Sequence, residues 1–73
     1  MRPVEVIAYA GYRGEQEPRA VVLESRRMTV DRIERRWREA EADMFEVRLA
    51  DGRRLELRLD RAGEWWGGEP GLA

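Results

Sequence analysis

Apolar and charged residues alternate most regularly in the segment from Met44 to Leu59. Every second residue is apolar on each side of the dipeptide Asp51–Gly52, as shown by Phe45, Val47, Leu49, Leu55, Leu57 and Leu59. This alternation predicts two half-buried antiparallel strands joined by a hairpin. A two-residue turn would place Arg48 opposite Leu55, so parity predicts a three-residue loop instead. The expected loop is Ala50–Asp51–Gly52 with Gly52 left-handed, and it sets Val47 opposite Leu55 and Phe45 opposite Leu57.

Two further strands are predicted in the N-terminal part of the chain. The segment 3–12 carries β-branched and aromatic residues on both faces, which is typical of a strand that is covered on both sides. A polar loop follows, and Arg19–Leu23 resumes as a strand. Its turn lies at Glu24–Ser25 or at Ser25–Arg26. We prefer Ser25–Arg26, because that register places Leu23 opposite Met28 and Val21 opposite Val30.

The segment from Arg26 to Glu39 fits two kinds of secondary structure. Val30, Ile33 and Trp37 follow helical spacing, and Thr29 is a suitable N-cap. A strand over the same residues needs a β-bulge near Asp31–Arg32 to bring Ile33 and Trp37 onto one face. Local pattern alone slightly favours the helix, which leaves an α+β fold with a helix at Thr29–Glu39 as the alternative.

The residue types present exclude most chemistry. The chain has no cysteine and no histidine, so it can form neither a disulfide nor a thiolate or imidazole metal site. No glycine-rich phosphate loop is present, and Asp51 and Asp60 have sufficient structural reasons to precede turns. We therefore expect a protein that is not an enzyme and needs no cofactor or metal. The chain has no apolar run long enough for a membrane span and no signal-peptide pattern, which predicts a cytoplasmic location.

Charge is abundant and balanced. The 14 basic residues face 15 acidic ones, for a net charge of −1, and every basic residue is an arginine. Balanced charge argues against a general nucleic-acid binder, whose domain is usually strongly basic. A composition rich in ion-pairing residues and without asparagine is typical of heat-tolerant proteins, and it favours a thermophilic bacterial source.

Two longer segments resemble a known family. They are PRAVVLESRRMTVDRIERRWRE and MFEVRLADGRRLELRLDRAGEWW. Their pattern resembles a small bacterial β domain of unknown function, which also occurs as a C-terminal module on inactive Y-family polymerase-like proteins. The matching features are Pro18, Arg26–Arg27, Val30, Trp37–Arg38, Val47, Asp51–Gly52, Asp60–Arg61 and Gly63–Trp65, and Ser25 stands where the family usually has glycine. The resemblance implies an all-β fold, and hence a strand for Met28 to Arg38, and it implies no activity.

We therefore predict an all-β domain at residues 1–66, followed by a flexible tail at 67–73. The expected architecture is a small, partly open antiparallel barrel of five or six strands. The predicted core consists of Val4, Val6, Val21, Val30, Ile33, Trp37, Phe45, Val47, Leu55 and Leu57. Trp65 and Trp66 are adjacent and must face opposite sides of a strand, which makes Trp66 the tryptophan expected on the surface.

The candidate interaction residues are four arginines and one tryptophan: Arg32, Arg35, Arg36, Arg38 and Trp66. Arginine and tryptophan are enriched in binding hot spots, so the first hypothesis is an interaction module that engages a protein partner. Pairing of edge strands with a second copy would bury apolar side chains such as Met44, Leu59 or Trp66. The alternative hypothesis is a nucleic-acid-binding module in DNA repair or damage tolerance, which contacts phosphates through an arginine-rich strip.

Overall fold

Seven antiparallel strands form one sheet in the described part of this protein. A computed structural model describes residues 1–11 and 15–70, and within them the chain forms no helix. The strands are β1 (Arg2–Pro3), β2 (Glu5–Ala10), β3 (Gln16–Leu23), β4 (Arg26–Glu39), β5 (Ala42–Leu49), β6 (Arg54–Asp60) and β7 (Trp65–Gly68). The predicted all-β class is confirmed, with seven strands where five or six were expected. The alternative helix at Thr29–Glu39 does not form, since those residues belong to β4.

The sheet curls into an open half-barrel with the strand order β1-β7-β6-β5-β4-β3-β2. Its two edge strands, β1 and β2, are neighbours in the chain and are separated only by Val4. The Val4 amide donates a hydrogen bond to the Trp65 carbonyl oxygen over 3.1 Å, which continues the pairing of β1 with β7. The N-terminal segment therefore has two partners: residues 2–4 pair with β7, and residues 5–10 pair with β3. Tyr12, the last residue of the single strand predicted here, lies outside the described residues.

Strand β4 is long enough to pair with two neighbours in succession. Its first residues, Arg26 to Thr29, pair with β3, and the stretch from Val30 to Glu39 pairs with β5. The register with β5 shifts twice, between Val30 and Arg32 and again between Ile33 and Arg35. Because each β-bulge increases the local bend and twist, these shifts let one strand turn around the core.

The core lies on the concave side of the half-barrel. Its fully enclosed cluster comprises Val21, Phe45, Val47, Leu49 and Leu57. Partly buried apolar residues from β2, β3, β4, β6 and β7 pack around it, together with Val4. Nine of the ten predicted core residues belong to this cluster or pack directly against it, and the exception is Trp37. The alternation of apolar residues therefore identified the core face correctly at all but one position.

Trp37 lies on the convex face because β4 contains a second bulge. The predicted bulge near Asp31–Arg32 is present and brings Ile33 opposite Val47 in the core. The further shift at Glu34 then exchanges the two faces, so that Arg36 lies opposite Phe45. Trp37 consequently lies opposite Met44, on the side that faces away from the core.

The hairpin between β5 and β6 has the predicted register. Val47 pairs with Leu55 and Phe45 with Leu57. The loop consists of Ala50, Asp51 and Gly52, and Gly52 has a φ of 91°. The amide of Leu49 donates to the Arg53 carbonyl over 2.8 Å, which closes the loop. Loop length, register and the left-handed glycine are thus all confirmed.

The turn between β3 and β4 lies one residue earlier than predicted. Its central residues are Glu24 and Ser25, with φ values of 50° and 65°, and Val21 pairs with Met28. Two positive φ values are typical of a type I′ turn, which matches the twist of the flanking strands. Because neither residue is glycine or asparagine, the sequence gives no local signal for this turn.

Replacing Glu24 by asparagine together with Ser25 by glycine is expected to stabilise the protein. Both native residues adopt a left-handed conformation that costs about 1 kcal/mol or more for an ordinary side chain. Asparagine and glycine tolerate it, so we expect a gain of about 1 kcal/mol and a melting temperature about 5 °C higher. Thermal denaturation followed by circular dichroism checks the result. Ser25→Val is the control, and it should lower the melting temperature because a β-branched residue does not tolerate a positive φ. If both variants changed the melting temperature in the same direction, the left-handed conformation of the turn would be contradicted.

The C-terminal boundary lies later than predicted. β7 continues to Gly68, and Gly67 is buried against Val4 and Leu57. Residues 67 and 68 of the predicted tail are therefore part of the sheet. The last three residues of that tail, 71–73, lie outside the described part of the chain.

Candidate protein-interaction surface

Four side chains form a row across the convex face of the half-barrel. Trp37 pairs with Met44, Met44 with Arg58, and Arg58 with Trp66, so the row crosses β4, β5, β6 and β7. Side chains at paired positions share a face, and neighbouring strands lie about 4.8 Å apart, which separates the two tryptophans by about 14 Å. We call Trp37, Met44, Arg58 and Trp66 the outer tryptophan row.

At one end of the row, Trp37 is held by two charged neighbours. The Arg35 guanidinium carbon lies 4.3 Å from the centre of the Trp37 ring, within the range of a cation–π contact. The indole N–H donates a hydrogen bond to Glu39 Oε2 over 3.2 Å. These contacts restrict the rotamer of a tryptophan that is only partly buried.

At the other end, Asp60 holds Trp66. The Trp66 indole N–H donates to Asp60 Oδ2 over 2.9 Å, while Oδ1 accepts the backbone amides of Ala62 and Glu64. The hydrogen bond from Trp66, followed by that from the Glu64 amide, lowers the pKa of Asp60 below its ordinary value. The carboxylate is therefore charged at neutral pH, and it joins the β6–β7 turn to the orientation of Trp66.

The middle of the row is more enclosed than the sequence indicated. Met44 was expected to be exposed, but only 3% of it is accessible, although it lies on the convex face. Leu59, also expected to be exposed, is half-buried against the core, and Trp66 is half-buried. Because Met44 has Trp37 and Arg58 as its cross-strand neighbours, the row is a continuous, partly covered apolar strip and not a set of isolated side chains.

The four candidate arginines do not lie along one strip. Arg32 and Arg35 occupy the convex face, whereas Arg36 and Arg38 alternate with Trp37 and point to the side of Phe45. Three of the four also have carboxylate partners: Arg35 pairs with Glu46 at 3.8 Å, Arg38 with Asp43 at 2.9 Å, and Arg36 with two glutamates. Adjacent residues such as Arg35 and Arg36 face opposite sides of any strand, and the second bulge in β4 determines that Arg35 is the one that shares a face with Arg32.

Arg36 joins two parts of the sheet that do not pair directly. Its guanidinium contacts Glu15 at 3.4 Å and Glu17 at 3.1 Å, across the space between the start of β3 and the end of β4. The same group lies 5.6 Å from the Phe45 ring centre. Neither glutamate is near Arg36 in sequence, so sequence reasoning missed this contact. Arg36 therefore has a structural role at the place where β3 and β4 separate.

A second group of arginines, of which only Arg32 was predicted as an interaction residue, lies in a row on the convex face. Arg32 pairs with Arg48 and Arg48 with Arg54, across β4, β5 and β6. Glu34, the bulged residue of β4, contacts Arg48 and Arg54, each at 3.0 Å. We call Arg32, Arg48 and Arg54 the arginine ladder. Glu34 contacts two of the three guanidinium groups, so the three arginines of the ladder outnumber the carboxylate that bridges them.

Comparisons with protein families, with characterised proteins and with solved structures give no significant match to this chain. Within residues 1–11 and 15–70, no helix is long and apolar enough to cross a membrane. The same residues contain no group of three or more acidic side chains arranged to hold a metal ion.

Proposed function

We propose that this protein is a non-enzymatic interaction module that binds a protein partner through the outer tryptophan row. The single observation that carries the proposal is the presence of two half-exposed tryptophans, aligned by strand register on one face and each fixed by a charged neighbour. Under this proposal Trp66 contacts the partner, which agrees with its prediction as an interaction residue. Trp37, which was predicted in the core, contacts the partner on the same surface.

The composition of the row supports this proposal. Tryptophan, arginine and methionine are enriched in protein interfaces, and the strongest contributions come from aromatic and arginine anchors. Contacts to Glu39, Arg35 and Asp60 hold the two indole rings before any partner binds. Because a side chain that is already ordered loses less conformational entropy on binding, such anchors contribute more to affinity.

The surroundings of the row indicate the kind of partner. The neighbouring row on the convex face combines Arg35 with Glu46 and Glu56, so opposite charges border the apolar strip. A polar, mixed-charge rim around an apolar centre is typical of specific interfaces between proteins. The complementary surface is an apolar patch of a folded protein or helix, bordered by charges of both signs.

Truncation of the two tryptophans tests the proposal. Wild-type protein and the variants Trp37→Ala, Trp66→Ala and Arg53→Ala are immobilised, and proteins captured from the source cells are identified and then purified for titration calorimetry. We expect each tryptophan variant to weaken binding of the purified partner by about 2 kcal/mol, or about thirtyfold, as in hot spots. Arg53→Ala is the control, because Arg53 is an exposed residue of the β5–β6 loop that lies outside the row and outside the β2 edge. Circular dichroism establishes that each variant is folded, and partner binding that is insensitive to both tryptophans would refute the proposal.

A second candidate function, binding of a single-stranded nucleic acid, is favoured by the arginine ladder. Arginines directly opposite one another repel, and phosphates would relieve that repulsion. The family resemblance to a module on polymerase-like proteins is consistent with this function. Contact of all three arginines with phosphates would make log K fall with log salt with a slope of about −2. Titration of a labelled oligonucleotide across a salt series measures the slope, which Arg32→Ala and Arg54→Ala should each reduce by about 0.7. Absence of binding at low salt would exclude this candidate.

A further inference from the structure

Strand β2 forms one edge of the sheet, and its outer side has no partner in the described part of the chain. It pairs with β3 on its inner side, from Glu5 opposite Val22 to Ala10 opposite Gln16. Along the other side, no backbone hydrogen bond to another described residue is formed by residues 5–10. An unpaired strand edge presents amide and carbonyl groups that can pair with another chain.

The sequence of β2 leaves this edge without the usual protection. Residues 6–10, Val-Ile-Ala-Tyr-Ala, carry no charge in a chain in which 40% of the residues are charged. Tyr9 is 60% exposed and, with Met1 at 57%, is one of the two exposed large apolar residues in the described part of the chain. Natural proteins normally place lysine, proline, inward-pointing charges or a β-bulge on an open edge to prevent pairing with other chains. No lysine, proline or charge is present between Val6 and Ala10. The register with β3 shifts between Ile7 and Ala8, but the extra residue, Arg19, belongs to β3, so β2 itself contains no bulged residue.

The other open backbone surfaces of the sheet are protected. At the opposite edge, β1 has only two residues, and one of them is Pro3, which has no amide hydrogen to donate. Strand β3 pairs with β4 only as far as Thr29, so the same edge of β4 is open after that residue. This open part of β4 carries Arg32, Arg35, Arg36 and Arg38. A second copy approaching that side would bring the same arginines together. The β2 edge is therefore the surface of the described sheet that favours strand addition.

We propose that the β2 edge binds the β2 edge of a second copy of this chain, in an antiparallel arrangement with two-fold symmetry. A two-fold axis at Ala8 places Val6 opposite Ala10 of the second copy and Ile7 opposite Tyr9. Each such pair is apolar, and the single acidic residue, Glu5, lies opposite Gly11, so no like charges meet. Antiparallel pairing joins the two half-barrels into one continuous sheet through the backbone groups that β2 leaves free.

This interface is separate from the outer tryptophan row and from the arginine ladder. A single pair of six-residue strands buries less than the roughly 1,200 Å² of a standard stable interface, so association is expected at micromolar or higher concentration. The dimer would display two copies of the outer tryptophan row. A partner with two matching sites would then bind with a higher apparent affinity, through the effective concentration of the second site.

Sedimentation equilibrium over a wide range of concentration tests the proposal. We compare the wild type with Ala10→Lys on the β2 edge and with Ala62→Lys in the β6–β7 turn. Both alanines are exposed, and both variants make the same change of charge. Because the lysines of two copies would lie at the shared edge only in Ala10→Lys, this variant should raise the dissociation constant at least about tenfold. Ala62→Lys should dimerise like the wild type.

Amide hydrogen exchange locates the interface in the same samples. Amides of β2 that point away from β3 should exchange more slowly as the concentration rises, while the Trp66 amide should not change. A wild type that remains an 8.6 kDa monomer at millimolar concentration would overturn the proposal. A dimer that Ala10→Lys and Ala62→Lys weaken equally would also overturn it, since association would then use another surface. Neither result depends on the outcome of the tryptophan experiment.

Discussion

Leu57→Ala should lower the free energy of unfolding by about 3 kcal/mol, the largest effect expected of any substitution discussed for this protein. Leu57 is completely buried, lies opposite Phe45 on β5 and Gly67 on β7, and belongs to the central apolar cluster. Removing three side-chain carbon atoms leaves a cavity that neighbours on three strands line. A chain of this length has a total stability of about 4–11 kcal/mol, so the variant loses a large fraction of it.

Chemical denaturation of Leu57→Ala and Leu59→Ala measures this effect against a matched control. Leu59 lies on the same strand and the same face, but it is only half-buried. We expect Leu59→Ala to cost clearly less than Leu57→Ala, because part of the side chain is already in contact with water. Equal losses for the two variants would show that the core is not centred where β5, β6 and β7 meet.

Gly67→Val should destabilise the protein by about 2 kcal/mol by preventing closure of the half-barrel. A Cβ atom at Gly67 would lie 3.0 Å from Val4 Cγ1 and 3.2 Å from Val4 Cγ2. A valine must therefore push Val4 away from its place between the two edge strands. The hydrogen bond from the Val4 amide to the Trp65 carbonyl and the pairing of Arg2 with Gly67 would weaken with it.

Gly68→Val is the matched control for this prediction. A Cβ atom at Gly68 would approach only Met1, whose exposed and flexible side chain can move away. We expect a much smaller loss for Gly68→Val in denaturant titrations. The double variant Val4→Ala/Gly67→Val should recover part of the stability, since the smaller residue 4 makes room. If the double variant instead loses the sum of the stabilities lost by Val4→Ala and by Gly67→Val alone, Val4 is not the group that excludes a side chain at Gly67.

Sequence reasoning succeeded where the signals were local. The β5–β6 hairpin followed from strict alternation on both sides of a dipeptide that is typical of tight turns, and parity then determined the loop length. The position of Trp65 followed from its alternation with Trp66. In each case the residues that specify the geometry lie within a few positions of one another, so their pattern is sufficient.

Three features depend on contacts between distant residues, and the sequence pattern did not determine them. Of the two possible turn positions, Ser25–Arg26 was preferred wrongly, because the turn at Glu24–Ser25 uses side chains that ordinarily avoid positive φ and the pairing of the flanking strands compensates for that cost. The second bulge of β4 places Glu34 where it contacts Arg48 and Arg54 on two other strands. Strand β1 has only two residues, and it exists because Gly67 leaves space for Val4 near the other end of the chain.

The candidate site was predicted in composition but not in arrangement. Arginine and tryptophan were expected at the surface, and Trp66 lies on the convex face as expected. The four candidate arginines of β4 were treated as one strip, although adjacent residues such as Arg35 and Arg36 face opposite sides of any strand. The second bulge then determines that Arg35, and not Arg36 or Arg38, shares a face with Arg32. The predicted register of the β5–β6 hairpin already implies that Arg48 lies opposite Arg54. The addition of Arg32 to this pair depends on the register between β4 and β5, which the sequence pattern does not specify.

Closure through Val4 has a consequence for the order of folding. Successive strands from β2 to β7 are joined by short connections, so their pairing requires only small loops to close. The pairing of Arg2 with Gly67 instead brings together residues from nearly opposite ends of the chain. Closing this loop has the largest entropic cost of any strand pairing in the sheet. Contacts of such high sequence separation slow folding, so docking of the N-terminal segment onto β7 is expected to follow formation of the hairpins.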